Sequence, residues 1–122
     1  MTFLKKLFGK KPREMREVLQ WNGPEGCLVT DMITRKGCRV VYMYREDPAG
    51  SEFPDSGWRF FAGTESQEYL DDPAHTQICR LNTVCNLDPD VTPLLHAPYG
   101  MAFARDEQGR FRQEALDIPT DE

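Results

Sequence analysis

No apolar stretch in this chain runs far before a glycine, a proline or an Asp-Pro step interrupts it, and 122 residues carry nine of each breaker. That punctuation limits the chain to short strands and short helices. It excludes long bundle helices and the roughly 20 apolar residues of a membrane-spanning helix. The length suits one domain with a real core and no need of disulfide staples.

The runs between breakers are β-rich at first. Cys27–Thr34 and Arg39–Arg45 are rich in β-branched and aromatic residues, and the Arg-Lys-Gly connection between them suits a hairpin. In the second run Val40, Tyr42 and Tyr44 share one face and Val41 and Met43 the other, so a central strand covered on both sides is expected. Residues 46–57 form a polar loop. Gly57–Gly63 is the third strand, with Trp58 and Phe60 on one face and Arg59 and Phe61 on the other.

Helical signals are fewer. Pro12 and the spacing of Met15, Val18 and Leu19 predict a short helix over 12–21, ended by Asn22–Gly26. Thr64 reads as the N-cap of a helix through Asp72, with Glu65 and Glu68 on its first turn. Asp72-Pro73 and Asp88-Pro89 read as two further helix starts. Between them QICRLNTVCNL fits either period; its start signal and length favour helix. MAFARDEQGRF predicts a hairpin turning at Asp106–Gly109. The resulting class is α+β, a single small domain with a mainly antiparallel sheet and short helices on one face. A basic arm (1–11) and an acidic tail (114–122) flank the domain at 12–113.

Charge is distributed unevenly. Residues 1–20 hold six basic and two acidic side chains, so the formal charge of −5 joins a +4 arm to a −9 body. The acidic body disfavours nucleic acid as a direct ligand and favours a basic protein partner. One arginine in the aromatic run Trp58–Phe61 does not alter that balance. In the arm, Phe3, Leu4, Leu7 and Phe8 beside lysines allow weak membrane contact by residues 3–11, although Gly9 interrupts the stripe.

The chemistry of the sequence is mostly negative. The arm lacks the apolar core of a secretory signal, so a cytoplasmic protein with free thiols is expected at Cys27, Cys38, Cys79 and Cys85. Their spacing does not suit a zinc site, although His75 and Cys79 stand four apart with His96 available, and Cys79, Cys85 and His75 leave a thiol- or metal-dependent enzyme open as an alternative. There is no nucleophile elbow, phosphate-binding loop or dinucleotide fingerprint. Neither a catalytic residue nor a cofactor is indicated. A peripheral membrane adaptor acting through residues 3–11 is the other alternative.

Four stretches, GCLVTDMITRKGCRVVYMYRE, DSGWRFFAGTESQEYLDD, ICRLNTVCNLDPDVTPLL and PYGMAFARDEQGRF, together resemble bacterial immunity-protein family thirty-three. The resemblance runs through Gly57, Trp58, Arg59, Phe60 and Phe61, then Leu81 and Asn82 with Asn86, Asp88 and Pro89. It ends in Pro98, Gly100, Phe103 and Arg105. It implies a non-catalytic protein that neutralises a cognate toxin, with no cofactor. The motif residues themselves read as fold-forming. The expected contact patch is Glu65, Glu68, Tyr69, Asp71 and Asp72, acidic groups around an aromatic anchor.

Overall fold

The computed structural model describes residues 15–115. The basic arm, the first part of the predicted helix at 12–21 and most of the acidic tail lie outside that range. Six strands form one mixed sheet, β1 (Gly26–Thr30), β2 (Tyr42–Arg45), β3 (Asp55–Phe61), β4 (Thr76–Arg80), β5 (Ala102–Arg105) and β6 (Phe111–Glu114). Their order is β4-β1-β3-β2-β5-β6. Only the β1–β3 pair is parallel; the other neighbours are antiparallel. The α+β class and the largely antiparallel sheet are as the sequence predicts.

β3 takes the centre because both of its faces can be covered. Trp58 and Phe60 point into the core and stack on each other with centroids 6.0 Å apart. Trp58 also lies 6.4 Å from Phe103 of β5, and its indole N–H donates to the Leu95 carbonyl at 3.0 Å. That bond satisfies the one polar atom of a fully buried ring.

Three short helices accompany the sheet, α1 (Asp31–Thr34), α2 (Gln67–Asp71) and α3 (Leu81–Leu87). α1, α3 and a 3-10 helix at Pro89–Leu94 cover one face, where Ile33, Leu81, Val84, Val91 and Leu95 close the core over Val29, Met43 and Phe60. None of these helices is long enough to stand alone, so tertiary burial stabilises them. α2 buries none of its own residues fully.

The expected β1–β2 hairpin does not form. β1 ends at Thr30 and the chain enters α1, where Arg35 and Lys36 donate to the Asp31 carbonyl at 2.8 and 3.1 Å. Gly37, at φ +76°, then reverses the chain. β3, the longest strand, pairs with β1 on one side and β2 on the other, and so separates them. The second strand is also shorter than expected, starting at Tyr42 rather than Arg39. Val40 therefore leaves the tyrosine face and is buried beside Met43 in the core.

Two helical expectations are corrected as well. QICRLNTVCNL is half strand and half helix, β4 giving way to α3 at Arg80–Leu81. Arg80 offers no side-chain cap; Glu25 supplies it from across the fold. Its carbonyl accepts from Leu81 N–H at 2.9 Å and its carboxylate from Asn82 N–H at 2.9 Å. The described part of the 12–21 segment is not helical, and Met15 and Val18 are exposed rather than a buried stripe. It is held against α3 by side chains. Asn82 accepts from the N–H groups of Val18 and Leu19 and donates to Arg16 carbonyl at 2.7 Å. Asn86 accepts from Arg16 N–H at 3.1 Å and donates to the same residue's carbonyl at 2.9 Å.

Candidate functional site

The residues of the expected contact patch are brought to one region, but in different roles. Thr64 does not cap α2; Ser66 does, accepting from Tyr69 N–H at 3.0 Å. The helix therefore starts two residues later than expected, and Glu65 lies before it. Glu65 folds back on the end of β3 and accepts from Thr30 hydroxyl, Ala62 N–H and Gly63 N–H, the last two at 2.8 Å. Burial alone would raise its carboxyl pKa. The hydrogen bonds from Thr30 and the local backbone outweigh burial and hold it below the usual carboxylate value.

Glu68, Asp71 and Asp72 are exposed along α2 and its end. Asp71 accepts from Gln67 amide at 2.8 Å, and Asp72 caps the 3-10 turn Pro73–His75 through Ala74 N–H at 2.9 Å. Tyr69 is half-buried and lies flat on the His75 imidazole, with centroids 3.9 Å apart at 8°. His75 Nδ1 is 2.7 Å from the Tyr69 carbonyl, which fixes the ring pair to the helix. The result is an acidic ridge with a rigid aromatic step.

Beside the ridge is a surface that the sequence reading did not anticipate. The face of the sheet opposite the core carries Tyr42, Tyr44 and Phe61, half-buried rather than covered. Tyr44 and Phe61 stack at 5.8 Å and 13°, and Tyr42 lies 6.0 Å from each. With Gly63, Glu65 and Leu70 of α2 they line a cavity of about 400 Å³. A second cavity of about 270 Å³ adjoins it, sharing Tyr44, Phe61 and Leu70 and reaching Glu46 and Arg59. Partial burial, then Glu114 for Tyr42 and Glu46 for Tyr44, raises both phenol pKa values. The period-2 alternation put Tyr42 and Tyr44 on one face of the second strand but predicted that face to be covered, whereas it is only half-buried. The juxtaposition of the three rings depends on the β2–β3 register, where Tyr42 faces Phe61 and Tyr44 faces Arg59.

The motif residues are built into the scaffold. Gly57 sits at φ +94°, and a Cβ there would meet the Glu46 carbonyl at 2.1 Å. Arg59 is buried and salt-bridged to Asp55 at 2.8 Å and Glu46 at 2.7 Å. Phe60 and Leu81 are fully buried, while Phe103 packs beside Trp58. Asp88 caps the 3-10 helix that Pro89 begins, accepts from Val40 N–H at 2.9 Å and pairs with Arg105 at 2.8 Å. Gly100, two residues after Pro98, has φ +94° and donates to the Arg45 carbonyl at 2.6 Å.

The groups considered for metal or thiol chemistry are dispersed. His75 stacks on Tyr69, while His96 packs against Trp21 with centroids 5.0 Å apart at a 31° tilt. Among the described residues, no cluster of three or more His, Cys, Asp or Glu side chains is placed to hold a metal ion. The four cysteines are free. Burial pushes the thiol pKa values of Cys27, Cys79 and Cys85 upward, which suppresses the reactive thiolate. No helix among the described residues is long and apolar enough to cross a membrane.

Comparison with known proteins adds one finding. The family model described as Immunity protein Imm33 domain matches residues 27–115, from the start of β1 to just beyond β6. No curated protein and no solved structure matches the chain.

Proposed function

Because the chain belongs to the immunity protein Imm33 domain family, we propose that it is a non-catalytic immunity protein. It binds a cognate bacterial toxin in the cytoplasm of the producing cell and occludes it. The observation that carries this reading is the family match over residues 27–115. The surface supports it physically. The body is acidic, and α2 presents Glu68, Asp71 and Asp72 around Tyr69 with Glu65 anchoring the ridge to β3. Such a surface steers a basic partner by long-range attraction and gives it a rigid ring to seat against.

The experiment is co-expression with the toxin encoded beside the gene. Wild-type protein is expected to protect the cell, and failure to protect against any neighbouring toxin refutes the reading. Glu68 and Asp71 are exposed, and the Asp71 bond to Gln67 stays within α2, so Glu68→Lys with Asp71→Lys tests the ridge. Association is expected to slow about tenfold or more at low salt, with a flatter salt dependence. Unchanged affinity and salt dependence would remove the ridge from the interface.

A further inference from the structure

We infer that the aromatic cavity between the open sheet face and α2 is an arginine-binding pocket, which receives a guanidinium side chain of the partner protein. The partner's identity rests on the immunity reading; the pocket's chemistry does not.

Three observations converge on a cation. The first is the ring set itself, in which Tyr44 and Phe61 stack nearly parallel at 13° with Tyr42 6.0 Å from both. Their π faces attract a positive charge. The second is Glu65, which lines the same cavity. All three of its donors are neutral, a hydroxyl and two backbone N–H groups. No described cationic side chain pairs with it. A carboxylate held in one orientation, ionised and uncompensated, stands at the edge of an aromatic cluster. The third is the adjoining cavity, where Arg59 is shared by two carboxylates, Glu46 and Asp55. That triad carries a formal −1, so no local positive charge cancels Glu65.

The same features reject other occupants. An apolar side chain would desolvate Glu65 without replacing its lost hydration, and an anion would meet two negative sites. A guanidinium answers both demands, since its plane lies on the rings while its edge donates to a carboxylate oxygen. Lysine can supply the charge without the plane.

The test uses the full chain and N-acetyl-arginine amide as probe, followed by amide and aromatic NMR shifts. Saturable millimolar binding is expected, with shifts at Gly63, Glu65 and Leu70 and at the Tyr42 and Tyr44 rings. The neutral citrulline analogue is expected to bind at least tenfold more weakly, a comparison that requires no variant. Tyr44→Leu, which keeps apolar bulk, is expected to weaken arginine binding about fivefold, and Tyr42→Leu is the second variant. Equal binding of citrulline overturns the pocket, as do shifts confined to Glu68, Asp71 and Asp72. Movement of the same resonances on deleting residues 1–11, without any probe, assigns the site to the chain's own arm and also overturns it. Loss of arginine binding with toxin protection intact rejects the pocket alone. Intact arginine binding without protection rejects the partner's identity.

Discussion

Asp88→Ala separates a fold-forming role for the motif from a toxin-contacting one. Asp88 is 5% exposed and its carboxylate serves three groups. It accepts from Val40 N–H at 2.9 Å, from Arg105 at 2.8 Å and from Asp90 N–H at 3.2 Å. Removing it leaves the Val40 donor buried and unpaired, which costs about 1–3 kcal/mol. Losing the cap of the 3-10 helix costs about 0.5–2 kcal/mol. The Arg105 side chain, 4% exposed, keeps Asp90 at 2.9 Å and the Val40 and Gly109 carbonyls. Its loss therefore falls below the roughly 3–5 kcal/mol of a fully broken buried pair. These contributions overlap, and a net destabilisation of about 4 kcal/mol is expected, a large part of the roughly 5–15 kcal/mol that holds a typical domain. The assay is urea denaturation with Asp88→Asn alongside, because asparagine keeps one acceptor oxygen and so retains either the Val40 bond or the Asp90 cap bond, not both. Asp88→Asn is expected to lose about half as much. A loss below about 1 kcal/mol for Asp88→Ala, or toxin affinity abolished at unchanged stability, would refute the structural account.

Asn82→Ala frees the N–H groups of Val18 and Leu19, while the Arg16 carbonyl keeps its bond from Asn86, and about 2–4 kcal/mol of local stability is expected to go with them. Hydrogen exchange at Val18 and Leu19 checks it, speeding up there while β3 amides keep most of their protection. For pH, Asp55 behaves like Glu65: burial opposes its charge, but bonds from Arg59, Gly57 and Ser51 win and lower its pKa. Both folded values lie below the unfolded ones, so their stabilisation is complete above the ordinary carboxylate range and is lost as pH falls through the folded values. Denaturation midpoints should drop as pH falls below the ordinary carboxylate range, and Glu65→Gln should flatten that drop. Thiol labelling by an aromatic disulfide is expected to reach Cys38 first, with Cys27 and Cys85 reacting only on unfolding; rapid labelling of Cys27 would contradict its burial.

What the sequence made legible was local chemistry. Asp72-Pro73, Asp88-Pro89 and the turn at Asp106–Gly109 each carry their signal within four residues, and each stands where it was expected. Alternation put Trp58 and Phe60 on one face of their strand, and that face is the one turned to the core. The failures share a cause, which is that the satisfying partner lies far along the chain. Nothing near Arg80 announces a helix start, because the cap is Glu25. Nothing near Val18 forbids a helix, but Asn82 takes the N–H groups that an α-helix would have used. The site divides in the same way. Glu68, Asp71 and Asp72 are readable as an exposed acidic turn, whereas the aromatic groove exists only once β2 and β3 set Tyr42 opposite Phe61.

The strand order has a consequence for synthesis. β1 is complete at residue 30, yet its neighbours β3 and β4 are complete only at residues 61 and 80. At roughly 5–20 residues per second, the second neighbour follows several seconds after β1. Until residue 61 Cys27 and Val29 have no strand on either side, and until residue 80 they have one at most. β2 and β3, by contrast, follow one another across a nine-residue gap and can close as a local pair. The rings of the groove can thus join on the nascent chain while the first strand still lacks its second neighbour.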